Sequence, residues 1–178
     1  DHIAQRPIVR MGAIGLGTGT LAAFAARDTS ESSEAPQNGP FELTIYEINP
    51  LVVSLSEGKD PWFTYVQDAR DRGANVKIVL GDARLMMERE KPNEFDLIAV
   101  DAFSGDAIPT HLLTDEAMKI YIKHLRSDGT GILAIHISNR YLDLKPVLRE
   151  AAAKFGRHAR HFDEDSDETR GLYGSPSV

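Results

Sequence analysis

The residues whose types and spacing could do chemistry are a glycine turn and a series of acids, each placed just past an apolar run. Gly15, Gly17 and Gly19 alternate with Leu16 and Thr18 directly after the run that ends at Ile14. Glu47, Asp82 and Asp101 follow three later runs, 41–46, 76–80 and 95–100. Glycines let the backbone turn tightly and approach a ligand closely. Carboxylates can accept hydrogen bonds from hydroxyls or amines and can take a proton. In an open α/β sheet the carboxyl ends of the strands are where ligands bind, at the point where strand order reverses. A glycine loop followed by acids at successive strand ends is how such a sheet holds an adenine nucleoside. A dinucleotide fingerprint would need a glycine at position 20, which is Thr20. The Gly-x-Gly-x-Gly pattern suits a sulfonium nucleoside that lacks a pyrophosphate.

Each residue has a functional and a plain structural reading. Glu47, with Ile48 beside it, can accept both ribose hydroxyls, or it is a solvated acid at a strand end. Asp82 can accept from the adenine exocyclic amine, with the backbone of Ala83 alongside, or it belongs to an ordinary Gly-Asp turn. Asp101 is delivered to the centre of the crevice, where a carboxylate can orient a substrate amine and take its proton. Its alternative is a loop cap. Asp106 is divided between acceptor binding and Ser-Gly-Asp turn chemistry. His136, at the end of the fifth apolar run, is either a hydrogen-bonded core histidine or part of a pocket wall. Asn139, Arg140 and Tyr141 follow it on the loop above the sheet, and His111 reads as structural.

The elements that position these residues alternate between strand and helix. Strands are expected at 8–14, 41–48, 76–80, 95–100 and 131–137, with a sixth at 158–162. Helices are expected at 21–26, after Pro50, and at 62–72, 84–90, 114–125 and 142–155; Thr114 caps the fifth of these, with Asp115 and Glu116 in its first turn. This order predicts an α/β fold with a doubly wound, mostly parallel Rossmann-like sheet and helices on both faces. The segment 28–40 is rich in Ser, Glu, Pro, Asn and Gly and is expected to be a flexible insertion. The stretch 163–178 reads as a solvated carboxyl-terminal tail.

The bulk composition limits the function classes. The chain has 178 residues, 42% hydrophobic and 26% charged, values of one globular domain with its core at 8–156. A net charge of −7 argues against sequence-independent nucleic-acid binding and is compatible with a cationic small substrate. No cysteine is present, which excludes disulfides, thiolate catalysis and Cys-ligated zinc, and no metal is expected. The longest uncharged stretch, Met11–Ala26, has 16 residues, short of the ~20 mostly apolar ones of a spanning helix. The chain starts at Asp1 with no signal peptide, so it is expected to be a piece of a longer protein.

From about Val9 to Phe155 the residues resemble the spermidine synthase-like (polyamine aminopropyltransferase) family, within the S-adenosylmethionine-dependent methyltransferase folds. The resemblance rests on five segments. They are Ile14-Gly15-Leu16-Gly17-Thr18-Gly19, Tyr46-Glu47-Ile48-Asn49-Pro50, Phe63-Thr64-Tyr65, Asp101-Ala102-Phe103-Ser104-Gly105-Asp106-Ala107-Ile108-Pro109 and His136-Ile137-Ser138-Asn139-Arg140-Tyr141-Leu142. It implies a class I methyltransferase-type sheet with Gly15, Gly17, Thr18, Gly19, Glu47, Ile48, Asp82 and Ala83 binding the nucleoside. Asp101 would be the catalytic aspartate, and Ser104, Asp106 and His136 would face the substrate. The implied reaction is attack of an amine nitrogen on the aminopropyl carbon of decarboxylated S-adenosylmethionine. The implied partner is a small-molecule amine acceptor. The family's amino-terminal β domain is absent from this chain. A cytoplasmic location, a homodimer, and a membrane segment elsewhere in the full-length protein follow by analogy. Thr18 stands where the family's glycine loop carries an aspartate. Two alternatives therefore remain, an S-adenosylmethionine-dependent methyltransferase and a non-catalytic nucleoside-binding domain.

Overall fold

The computed structural model describes residues 10–25, 42–103, 108–137 and 142–162. The expected insertion at 28–40, the tail at 163–178, Ile8, Val9, Ser104, Asp106 and residues 139–141 lie outside the described residues. The chain divides into two compact units, Asp1–Ala102 with Lys119–His136, and Phe103–Met118 with Ile137–Val178.

Among the described residues of the first unit, five strands form one parallel sheet: β1 (Arg10–Ile14), β2 (Glu42–Glu47), β3 (Asn75–Leu80), β4 (Leu97–Val100) and β5 (Ile132–Ile135). Their order is β3-β2-β1-β4-β5. The chain builds outward from β1 to β3, then returns to the other side of β1, so strand order reverses between β1 and β4. β1 and β2 lie inside the sheet, which buries Met11, Ala13 and Ile14 of β1 and Leu43, Ile45 and Tyr46 of β2. Met11, Ala13, Leu43, Ile45 and Val76 from the strands pack with Val66 and Ala69 into the main core. Burying such a Leu, Ile or Val side chain contributes roughly 1.5–3 kcal/mol.

Of three helices of this unit, two start from a side-chain cap. α1 (Pro50–Glu57) has proline in its first turn, and the Asn49 side chain accepts from Leu51 N–H at 3.0 Å. α2 (Tyr65–Asp71) follows Thr64, whose hydroxyl donates to the Asp68 carboxylate at 2.9 Å. α3 (Ala83–Arg89) is capped by Asp82. A buried polar cluster ties the end of α3 to its neighbours. Tyr46 Oη donates to Glu90 Oε2 at 2.6 Å, and Asn93 Nδ2 donates to the same oxygen at 3.0 Å. Asn93 Nδ2 also reaches His124 Nδ1 at 3.1 Å, while His124 Nε2 donates to the Met87 carbonyl at 2.8 Å. Burial, and secondarily the Glu90 carboxylate, pushes the Tyr46 phenol far above its ordinary range.

In the second unit a short 3-10 turn (Thr110–Leu112) precedes the start of α4 (Asp115–His124), and α5 (Lys145–Lys154) follows. Thr114 Oγ1 accepts from Ala117 N–H at 3.3 Å, the expected cap. Ile108, Leu112, Ala117, Met118 and Leu144 are buried. Lys154 Nζ pairs with the Asp115 carboxylate, which holds the lysine above its usual range.

Two expected elements differ. The helix at 21–26 is a five-residue 3-10 turn, Thr20–Phe24, entered from Gly19 in a left-handed conformation. A run that short makes less than two α-turns, the length at which 3-10 geometry is used. The expected sixth strand at 158–162 forms no strand, and its residues are exposed. It offers only Ala159 and Phe162 as apolar groups, too little to bury against a sheet. Among the described residues no helix is long and apolar enough to cross a membrane.

Candidate nucleoside and amine site

The carboxyl edge of the sheet is locked by backbone hydrogen bonds that run one residue past the strands. Gly81 N–H donates to the Glu47 carbonyl at 2.8 Å, and Gly15 N–H to the Tyr46 carbonyl at 2.9 Å. Asp101 N–H donates to the Ile14 carbonyl at 2.9 Å, and His136 N–H to the Val100 carbonyl at 2.9 Å. The residues that follow β1, β3, β4 and β5 are thus held at one edge of a single sheet, with Gly15 and Asp101 facing each other at the reversal.

The glycines of the loop have different reasons to be glycine. Gly15 has φ +100°, and a Cβ there would lie 2.5 Å from the Asp101 carbonyl oxygen, so the end of β4 requires it. Gly17 has φ +53° and nothing within 4 Å of where a Cβ would stand. The position is open space, and the positive φ is what favours glycine there. Thr18 is exposed beside it, and Gly19 is buried.

Glu47 is buried, and both carboxylate oxygens bind backbone. Oε2 accepts from Leu16 N–H at 2.9 Å and Oε1 from Asn49 N–H at 2.7 Å. The acid therefore fixes the glycine loop to the end of β2, a role that spacing along the chain did not disclose. Each carboxylate oxygen has two lone pairs, so these bonds are compatible with accepting ribose hydroxyls as well. Ile48 next to it is 65% exposed, an apolar surface at the same edge. Asp82 caps α3, its Oδ1 accepting from Leu85 N–H at 3.0 Å, and Ala83 is buried in the first helical turn. Its charge also adds to the effect of burial in raising the Tyr121 phenol.

Asp101 and His136 meet. His136 Nδ1 lies 2.7 Å from Asp101 Oδ1, and the side chains are 53% and 48% exposed, respectively. Both were singled out from the sequence, but not as a pair, because only the neighbouring placement of β4 and β5 brings them together. His111 lies, exposed, in the 3-10 turn of the second unit. Ser104 and Asp106 lie outside the described residues. The arrangement combines a glycine loop with room above Gly17, acids on β2 and before α3, and a histidine–carboxylate pair at the switch point. Chemically it can hold a nucleoside and move a proton.

No protein-family model matches the chain. A polyamine aminopropyltransferase from Vibrio vulnificus (strain CMCP6) is 32% identical over 132 residues, 73% of this chain and 38% of that protein. The chain thus spans well under half the length of that relative. Among solved structures, a probable spermidine synthase from Corynebacterium glutamicum ATCC 13032 superposes with a TM-score of 0.56 at 22% identity, covering 86% of this chain and 49% of the other. A SAM-dependent methyltransferase from Archaeoglobus fulgidus gives 0.51 at 15% identity, covering 94% and 77%. The fold is the Rossmann-like, class I methyltransferase type.

Proposed function

Because the chain is related by sequence to the polyamine aminopropyltransferases and has a class I methyltransferase-type fold, we propose that it is the nucleoside-binding catalytic domain of a spermidine synthase-like transferase. In this reading it moves an aminopropyl group from decarboxylated S-adenosylmethionine to a small-molecule amine acceptor. The observation that carries the reading is the place of Asp101. It stands at the strand-order reversal, fixed to β1 through its N–H and bonded through its carboxylate to His136.

Gly15, Gly17, Thr18 and Gly19 form the wall against which the nucleoside lies. Glu47, with Ile48, holds its ribose, and Asp82 with the backbone of Ala83 its adenine. The sulfonium donor supplies a carbon already joined to a good leaving group. The protein is left with two tasks, holding the amine in line and removing its proton. The second falls to Asp101 and the side chain bonded to it, and acceptor binding is assigned to Ser104 and Asp106 from the sequence resemblance alone. One observation favours a second reading, methyl transfer from S-adenosylmethionine: Thr18 is exposed on the loop and brings no carboxylate to meet an aminopropyl ammonium.

Calorimetry with S-adenosylmethionine, its decarboxylated form and methylthioadenosine, followed by turnover with a panel of amines, tests this. Tighter binding of the decarboxylated donor, with release of methylthioadenosine, is the expected result. Release of S-adenosylhomocysteine would establish methyl transfer instead. Nucleoside binding with no turnover of any amine would mark a binding domain.

A further inference from the structure

We propose that Arg84 anchors a binding site for a small oxyanion, a carboxylate or phosphate group, beside Asp82 and separate from the nucleoside site. The observation that carries this is an unmatched charge. Arg84 stands in the first turn of α3, two positions after Asp82. Its Nε is shut off from solvent and meets no hydrogen-bond partner, and among the described residues no carboxylate pairs with its guanidinium. A guanidinium keeps its charge at every working pH and presents five N–H donors. Withdrawing such a group from water without a counter-charge is costly, and a buried polar atom with no partner points to an ion or water that belongs there.

Arg70 and Arg126, half-buried like Arg84, show what the fold does with a guanidinium that serves only itself. Arg70 Nε donates to the Val76 carbonyl at 3.0 Å, and its Nη2 pairs with Glu57 Oε1 at 2.5 Å. Arg126 Nε donates to Asp128 Oδ2 at 3.0 Å, and its Nη1 reaches Asp96 Oδ1 at 3.4 Å. Arg84 is given no such oxygen. The acid nearest to it in the chain, Asp82, turns its Oδ1 to Leu85 N–H instead. Tyr121 of α4, fully buried, feels both charges: Asp82 raises its phenol and Arg84 opposes that rise. The cation is therefore held against the interior rather than extended into water.

The chemistry of the ligand follows from the fork. Planar, fixed N–H groups match the two oxygens of a carboxylate or phosphate, which an ammonium cannot do. With Nε closed and the residue as a whole only half-buried, the approach left to an anion is the Nη edge. Leu85 beside it is 45% exposed, so the start of α3 lies at the surface. Methylthioadenosine is neutral and decarboxylated S-adenosylmethionine is a cation, so neither supplies the missing charge. The placing of this site beside the adenine rests on the transferase reading above; the anion site itself does not.

The test uses the full chain in a Tris chloride buffer free of other oxyanions. Calorimetry should show the parent binding inorganic phosphate or, in a second arm, acetate at one site per chain, with NaCl of matched ionic strength as the blank. Phosphate alone marks a phosphate site, acetate alone a carboxylate site, and both a site for either. Arg84→Gln should abolish the binding. Arg84→Lys keeps the charge but loses the fork and should weaken it about tenfold, the worth of one hydrogen bond to a charged group. Arg149→Gln, at an exposed arginine of α5, should bind as the parent does. The anion should also raise the melting temperature of the parent and not that of Arg84→Gln. Binding of neither anion by the parent overturns the proposal, as does binding by both Arg84 variants at parental affinity. Displacement of the anion by methylthioadenosine overturns it too, and gives Arg84 to the nucleoside site. If Arg84→Gln does not fold, Arg84→Lys decides. No arm uses an amine or a turnover, so a negative result here leaves the transferase reading standing, and a chain that transfers nothing leaves this one standing.

Discussion

Glu47 shows how a residue can be singled out from the sequence while its bonding partner stays hidden. That an acid ends β2 could be read from the chain, but its bond to Leu16, 31 positions away, depends on β1 and β2 being neighbours. The same holds for Asp101 and His136, separated by 35 positions and joined only because β5 lies beside β4. Residue type and strand end were legible; partnership was not. Glu47→Gln puts an amide NH2 where an oxygen now faces a backbone N–H, so Leu16 or Asn49 loses its acceptor. Leaving one buried donor unmet costs about 1–3 kcal/mol. The variant should melt at lower temperature and bind methylthioadenosine more weakly by calorimetry; unchanged stability would contradict this account of the loop. The buried polar cluster makes a second prediction. Burial holds the His124 imidazole below its ordinary value, so the unfolded chain takes up a proton that the folded one resists. Stability therefore falls as pH drops below about 6.5, the unfolded value, and the fall ends where the folded ring protonates. His124→Gln should lessen this loss, as seen in denaturant midpoints at about pH 7.5 and about pH 5.5, on either side of the ordinary imidazole value. An equal loss in parent and variant would remove His124 as its source.

Elements were legible where apolar runs were long and bounded. β2, β3 and α4 fall within two residues of the expected bounds, since each joins a strong periodic pattern to a turn or cap. Errors arose where a local pattern had little to bury, as at 158–162, or was too short to propagate, as at 20–24. β4 shows a subtler difference. The apolar run begins at Phe95, yet the ladder begins at Leu97, because Phe95 makes only an isolated bridge to Leu125. The Asp96 side chain turns aside to accept from Arg10 N–H at 2.9 Å. The contact between the glycine loop and β4 links element packing to the site. In Gly15→Ala the new Cβ would fall 2.5 Å from the Asp101 carbonyl oxygen, on a backbone at φ +100°. The strands must separate or the loop must change conformation, at a cost of roughly 1–3 kcal/mol. Gly17→Ala meets nothing within 4 Å and should cost about 1 kcal/mol, the left-handed penalty alone. Denaturant unfolding of the two variants should rank Gly15→Ala as clearly less stable, and equal losses would argue against close approach as the reason for Gly15.

At the scale of the whole molecule the governing quantity is charge. The chain carries 27 acidic and 20 basic side chains, a net charge of −7, while the proposed acceptor is a cation and methylthioadenosine is neutral. A field of one sign raises the local concentration of oppositely charged ligands and speeds their encounter, and salt screens it. The screening length shrinks from about 30 Å at 0.01 M to about 8 Å at 0.15 M salt, so the effect belongs to low ionic strength. If the acceptor is an amine drawn in by this field, kcat/KM for a diamine should fall several-fold as NaCl rises from about 20 to about 500 mM. The dissociation constant of methylthioadenosine should hold nearly constant over the same range. That pairing separates steering from a general effect of salt on the fold, because a loosened site would weaken both ligands. A diamine rate indifferent to salt would mean that the excess acids are spread too far from the site to act on the acceptor, and that their effect is confined to solubility.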